Sequence, residues 1–194
     1  AMDTGAPLMV LGAAAELRST AGERIVALDE LWTGPGTISA RPDELCTALV
    51  IDAPSEHSGS AYVRLEYRRA MEIAVVGAAA AVTLDGSRIA SIRIALAAVA
   101  PTIIEISGLE AIVESDDGAV VDEDGFLAGE ALTQIAALAS NQSTPISDLR
   151  ASDRYRSHVI GVMAGRAVEA AARRATGEII PIPVNRSLGI GARR

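Results

Sequence analysis

Two long apolar segments meeting at Asp85-Gly86 constrain this chain more than any other feature. Ile73–Leu84 and Ile89–Ile103 are rich in Val, Ile, Leu and Ala. Asp-Gly between such runs is a strong hairpin signal, because both residues tolerate positive φ. The pair is read as two long antiparallel strands. The alanines at 78–81 favour helix by propensity. Val75, Val76, Val82 and Thr83 flank them and the turn follows directly, so strand is the expectation.

The rest of the chain is organised around that hairpin. Ala61–Tyr67 is a further strand candidate, preceded by a polar boundary at Glu56–Ser60. Upstream, Asp3–Gly12 reads as the end of a helix or turn that enters a strand. Ala13–Arg18 and Glu23–Leu28 bracket Ser19-Thr20-Ala21-Gly22, which predicts a short hairpin. Asp29 is placed to cap a helical turn over Leu31 and Trp32, ended by Gly34-Pro35-Gly36, and Leu45–Ile51 is strand-rich up to Pro54. Downstream the pattern turns helical. Ser107–Val113 is expected as a short helix capped by Ser107, and Leu127–Ala139 carries helical spacing. Ser152 is a good N-cap for a long helix over Asp153–Ala175, with Val159, Val162, Met163, Ala167 and Ala170 on its apolar face. Gly177 ends it, and the residues from 178 to 194 read as an extended, partner-seeking tail. Strands followed by helices predict an α+β fold: an antiparallel sheet of three or four strands covered on one face by about three helices.

Composition narrows the function. Among 194 residues, 49% are hydrophobic and only 3% aromatic, so the core must be built from Ala, Val, Ile and Leu. A net charge of −8 disfavours a nucleic-acid partner, because phosphate binding needs a basic surface. It also disfavours an anionic membrane. The apolar runs are interrupted by small or polar residues and do not form a clean membrane span, and no signal peptide opens the chain; the cytoplasm is the expected compartment. With Cys46 alone, an internal disulfide or a cysteine-built metal site is excluded.

Motifs that carry chemistry are sparse. No glycine-rich turn opens a helix after a strand, and Gly189-Ile190-Gly191 lacks both neighbours. His57 and His158 stand alone. The acidic stretch Asp116–Asp124 lacks calcium-loop spacing, because Val120 stands where an acid is required. Asp148, Arg150, Asp153, Arg154 and Arg156 crowd the start of the long helix. A capping and salt-bridge network that fastens helix to sheet is the simplest reading, and a docking face for another subunit the alternative.

Five stretches, in order, resemble one family. They are Asp3-Thr4 through Leu11-Gly12-Ala13; Leu31-Trp32-Thr33-Gly34-Pro35-Gly36-Thr37 with Pro42-Asp43-Glu44-Leu45; Ser60–Leu65 with Arg68–Val76; Ile94–Thr102; and Pro145–Ser152 with Tyr155-Arg156. Together they resemble the C-terminal part of the FAD-binding medium subunit of molybdenum hydroxylases, the xanthine dehydrogenase and aerobic carbon monoxide dehydrogenase family. The resemblance covers roughly residues 3–175. It implies a division into part of the second FAD-binding lobe (1–55), the C-terminal domain of that family (56–177) and a tail (178–194).

It also implies a role: FAD takes electrons from iron–sulfur clusters on a small subunit and passes them to an acceptor, while a large molybdopterin subunit performs the hydroxylation. Carried over position by position, Asp3 matches an aspartate beside the flavin, Leu45 and Cys46 match apolar positions under the ring, and Arg64 matches a lysine that reaches it. Glu72 matches an acid, and Ile73 a flavin-covering residue that is aromatic in some members. The glycine-rich and Thr-Gly-Asn segments that bind pyrophosphate in the family have no counterpart here, and Ala97-Ala98 replaces a glycine pair. The expectation is that this chain alone retains little FAD. A non-catalytic docking scaffold of the same fold is the alternative.

Overall fold

The computed structural model describes residues 2–68, 71–115 and 119–181. The long hairpin is present as β7 (Val76–Asp85) and β8 (Arg88–Ala97), closed by Gly86-Ser87. Gly86 alone of the two takes positive φ, at 59°, so the turn uses one left-handed residue rather than two. β8 ends earlier than expected. Ala98 sits at φ 65°, a left-handed conformation that breaks the strand at the alanine pair noted in the sequence.

β6 (Ser58–Leu65) pairs along β7 from Ser58↔Thr83 to Leu65↔Val76, so the strand begins inside the stretch expected to be a boundary. β9 (Ile104–Glu105) pairs with the end of β8. The antiparallel order is β6-β7-β8-β9. This is the expected α+β architecture. Side chains alternate across the sheet. Ala61, Val63, Val76, Ala78, Ala80, Val82, Ile94 and Leu96 face one layer of helices. Within that layer α5 (Asp153–Ala175) lies over β6 and β7, α4 (Gly129–Asn141) packs beside α5, and α3 (Glu110–Val113) rests on β8.

The alanines explain how closely helix and sheet approach. A Cβ added to Gly59 of β6 would lie 2.2 Å from the Ala171 carbonyl oxygen and 2.5 Å from the Ala175 nitrogen of α5. The same closeness recurs between the helices, where a Cβ on Gly161 would meet Ala136 at 2.8 Å. Ile94, Leu96, Ile135 and Ile160 are fully buried between the layers, each worth about 1.5–3 kcal/mol in area removed from water.

The second face of the sheet is not bare, as a one-sided sandwich would have it. Ala79, Ala95 and Ala97 on that face meet Ala6, Met9 and Val10 of α1 (Gly5–Val10), with Trp32, Tyr62 and Ile103 at the margin. Burial on both faces is why the hairpin sequence is apolar almost without alternation. α1 leads into a three-stranded antiparallel sheet, β2-β1-β5, of β1 (Ala14–Ser19), β2 (Gly22–Ala27) and β5 (Leu45–Val50). Between β2 and β5 lie α2 (Leu28–Leu31) and a small ribbon of β3 (Trp32–Gly34) and β4 (Thr37–Ile38).

Several local expectations shift. Asp29 lies inside α2 and accepts from the Glu30 N–H, while Ala27 is the N-cap residue. α3 starts at Glu110 with Leu109 as N-cap. Ser107 is bound instead to Gln142, whose side-chain oxygen accepts from the Ser107 N–H and hydroxyl. Ser152 does cap α5, accepting from the Tyr155 N–H at 3.2 Å. Val162 is 42% exposed. The buried face of α5 runs through Ile160, Met163, Ala164, Ala167, Val168 and Ala171, because the helix contacts both sheet and α4. At the tail, Ile180 is buried and Glu178 is paired with Arg173. Residues 182–194, with Gly189-Ile190-Gly191, and residues 116–118 of the acidic stretch lie outside the described residues.

Candidate functional site

α1 delivers Asp3 to the edge of the four-stranded sheet. The helix can lie this close because Gly5 has no side chain: a Cβ there would meet Ile103 Cδ1 at 2.3 Å, Met2 Sδ at 2.9 Å and the Trp32 ring at 3.1 Å. On β6, Tyr62 and Arg64 are two positions apart and so share the face that α1 covers. The Tyr62 hydroxyl donates to Asp3 Oδ1 at 2.9 Å, and Arg64 Nη1 donates to Asp3 Oδ2. Arg64 Nε donates to Glu66 Oε2 at 2.6 Å.

The electrostatics follow from this enclosure. Burial pushes the Tyr62 hydroxyl far above the ordinary tyrosine range, and the neighbouring Asp3 charge adds to the effect. Tyr62 is therefore a proton donor that stays protonated at any physiological pH. For Arg64, burial opposes the charge, but the hydrogen bonds it donates to Asp3 and Glu66 outweigh it and hold the guanidinium more firmly protonated than usual. The arrangement is a fixed cation between two carboxylates, locked on one side by a neutral hydroxyl.

Glu72 and Ile73 belong to a second group. Glu72 Oε1 accepts from the Ile73 N–H at 3.0 Å, and its carboxylate lies 3.6 Å from Arg68 Nε and 3.9 Å from Arg150 Nε. Ile73 is half exposed. Behind Glu72 lies the network expected at the start of α5. Asp148 accepts from the N–H groups of Arg150 and Ala151 and pairs with Arg156 at 2.8 Å. Those backbone bonds and the guanidinium hold the Asp148 carboxyl well below the usual carboxylate range. The buried Arg156 donates to the Val75 and Ala98 carbonyl oxygens, at 2.7 and 3.1 Å. It therefore ties α5 to the start of β7 and to the break after β8, which accounts for the charged cluster as a fastening.

Leu45 and Cys46 stand apart from both groups. On β5 they face Arg18 and Leu17 of β1, whereas Val50 pairs with Ala14, just after α1. Leu45 is thus about 13 Å along the strand from the α1 end, at 3.3 Å per residue. Every residue of β5 is exposed, with Leu45 the most open of its leucines and valines at 73%. The structure therefore brings Asp3 and Arg64 together, places Glu72 and Ile73 on a neighbouring loop, and sets Leu45 and Cys46 on a separate sheet.

Three residues that single-position reading passes over complete the picture. Tyr62 and Glu66 form the first group with Asp3 and Arg64, and the period-2 spacing of 62 and 64 was the available signal. Glu44, next to Leu45, is buried. It accepts from Arg24 Nε at 2.7 Å, from the Arg41 N–H at 2.7 Å and from Arg41 Nη2 at 2.8 Å. The Arg24 and Arg41 bonds lower its pKa to about 2. Among the described residues, no group of three or more His, Cys, Asp or Glu is placed to hold a metal ion, and no helix is long and apolar enough to cross a membrane.

This fold, with an α1-buttressed antiparallel sheet under three helices, defines a class. A family model described as the CO dehydrogenase flavoprotein C-terminal domain matches residues 61–171, and the chain belongs to that family. It is 30% identical over 178 residues to a xanthine dehydrogenase FAD-binding subunit of Escherichia coli, covering 91% of this chain and 58% of that protein. It is 34% identical over 173 residues to the carbon monoxide dehydrogenase medium chain of Afipia carboxidovorans, covering 89% and 57%. The structure of reconstituted CO dehydrogenase from Oligotropha carboxidovorans superimposes with a TM-score of 0.78 at 32% identity, covering 89% of this chain and 57% of that one. The chain spans somewhat under three fifths of the length of these relatives.

Proposed function

We propose that this chain forms one wall of a flavin site in the medium subunit of a molybdenum hydroxylase. In that role FAD relays electrons from the iron–sulfur clusters of a small subunit to an acceptor, in complex with a large molybdopterin subunit in the cytoplasm. The observation that carries the proposal is the Asp3–Arg64 pair, joined across 61 positions by the docking of α1. It gives a polar anchor at one sheet edge. Exposed apolar side chains supply material for a partner plane: Ile73 on the neighbouring loop, and Leu45, Leu49 and Val50 on the separate sheet that holds β5.

These residues fit the ring and ribityl part of FAD. They do not fit its pyrophosphate, for which the sequence holds no glycine-rich strand–turn–helix. When bound, the flavin supplies the redox chemistry, and the protein supplies orientation and charge. Arg64 would hold the polar edge of the ring, Asp3 would fix Arg64, and Ile73 would shield the ring from water. The division of the chain at residue 55, with a flavin-lobe portion before it and a docking domain after it, is part of the same proposal.

A second reading is favoured by one observation. Arg64 is already engaged by Asp3 and Glu66, so its charge is largely compensated before any ligand arrives. On that reading the chain is a docking scaffold that binds no flavin by itself.

Protein-observed NMR with FAD separates the two. The flavin reading predicts a weak but saturable footprint. It should be concentrated on Asp3, Tyr62, Arg64, Ile73, Leu45 and Cys46. A footprint scattered over α4 and α5, or none at saturating FAD, supports the scaffold.

A further inference from the structure

Tyr62 lies beside the proposed flavin anchor, and its environment is built around it. Its hydroxyl is the atom that a side chain at position 77 would strike: a Cβ on Gly77 would lie 2.4 Å from Tyr62 Oη and 3.1 Å from the adjoining ring carbons. Gly77 is opposite Arg64 in the β6–β7 register, and Ala79 is opposite Tyr62. The Tyr62 ring therefore leans diagonally across β7, into the notch that Gly77 leaves, and from there its hydroxyl reaches Asp3 Oδ1. Gly77 does not take positive φ, so the missing side chain answers the need for space rather than a backbone demand. The other Asp3 oxygen is the one that pairs with Arg64.

We infer that Tyr62 is a positioning residue: seated in the Gly77 notch, it orients the Asp3 carboxylate so that the Asp3–Arg64 pair is formed before any ligand binds. The inference rests on the flavin reading for its purpose, but not for its geometry. Without the hydroxyl, Asp3 can rotate about its side chain and the pair loses a fixed partner. With it, one carboxylate oxygen is occupied and the other is aimed at Arg64. The ring packs against the cluster of Ala79, Ala95 and Met9, so Tyr62→Phe is expected to keep that packing.

The test is a double-mutant cycle on this chain by urea unfolding. Asp3→Asn and Arg64→Gln are combined first in the natural background and then with Tyr62→Phe. Positioning predicts that the Asp3–Arg64 coupling, expressed as an equilibrium ratio, falls at least about twofold in the Tyr62→Phe background. A tyrosine that merely adds packing would leave the coupling unchanged, and that result overturns the inference. Gly77→Ala should reduce the coupling as Tyr62→Phe does. Adding it to Tyr62→Phe should do less than on its own, because the atom it strikes hardest is gone; full additivity counts against the notch. A riboflavin titration followed at the Arg64 Nε–H separates the two levels of the argument. A response in the natural chain that weakens with Tyr62→Phe supports both. No riboflavin response at Arg64 removes the flavin reading, while the unfolding cycle still decides the role of Tyr62.

Discussion

Replacing Gly59 with alanine should unfold this protein more readily, because one methyl group has nowhere to go. Its carbon would sit 2.2 Å from the Ala171 carbonyl oxygen, 2.5 Å from the Ala175 nitrogen and 2.8 Å from Arg174 Cβ. Two of these are backbone atoms of α5, so no side-chain rotation relieves the contact. α5 must lift from β6 or slide along it. Overpacking of a filled core costs about 1–3 kcal/mol, and a backbone clash belongs at the upper end. Against this, alanine restricts the unfolded chain and recovers roughly 0.4–1 kcal/mol. The net loss is about 2 kcal/mol, equivalent to a melting point lower by about 4–8 °C for a chain of this size. Gly129→Ala is the control: nothing lies within 4 Å of a Cβ there, and the change should be neutral or slightly stabilising. Differential scanning calorimetry of both variants decides. If Gly59→Ala melts at or above the natural protein, α5 does not rest on β6 as described, and residues 58–60 are the loose boundary that the sequence suggested.

Further outcomes follow from the same structure. The folded-state pKa of Glu44, about 2, lies below its ordinary 4.5. Its contribution is thus fully present above about pH 4.5 and lost as the pH falls toward 2; urea midpoints measured over that range should fall less steeply in Glu44→Gln than in the natural protein. Ile135→Ala empties a site of zero exposure between α4, α5 and the sheet, and chemical denaturation should show a loss of about 2–5 kcal/mol. Leu45→Ser, at a position 73% exposed, should change stability by no more than about 0.5 kcal/mol. Under the flavin reading it should nonetheless weaken any flavin footprint on β5.

The sequence announced the fold through features that act locally. Gly86 set the turn of the hairpin, one residue later than the Asp85-Gly86 pair suggested, Ser152 set the start of α5, and Arg156 with Asp148 proved to be the fastening that the charge pattern implied. It was less informative wherever tertiary contacts overrode local preference. Ser107 has cap chemistry, but Gln142, 35 positions away, claims it. Val162 fits the helical stripe, yet the stripe rotates because α5 faces two neighbours. The second face of the sheet was hidden for a related reason: a continuous apolar run says that both sides are buried without saying by what, and the cover is a helix of six residues far upstream. For the site, Asp3 and Arg64 could be paired only through a family likeness, since no spacing rule joins positions 61 apart. The seat of Tyr62 against Gly77 depends on register, which emerges only when the strands are paired, whereas Glu66 reaches Arg64 from two positions along the chain.

The most direct measurement is a pair of NMR titrations of this chain, one with riboflavin and one with adenosine diphosphate, each followed residue by residue. A wall built for the ring predicts that riboflavin perturbs Asp3, Arg64 and Ile73 while the diphosphate leaves them unmoved. If the diphosphate reproduces the pattern, or riboflavin leaves Arg64 untouched, this surface is not the ring-facing half of a flavin site.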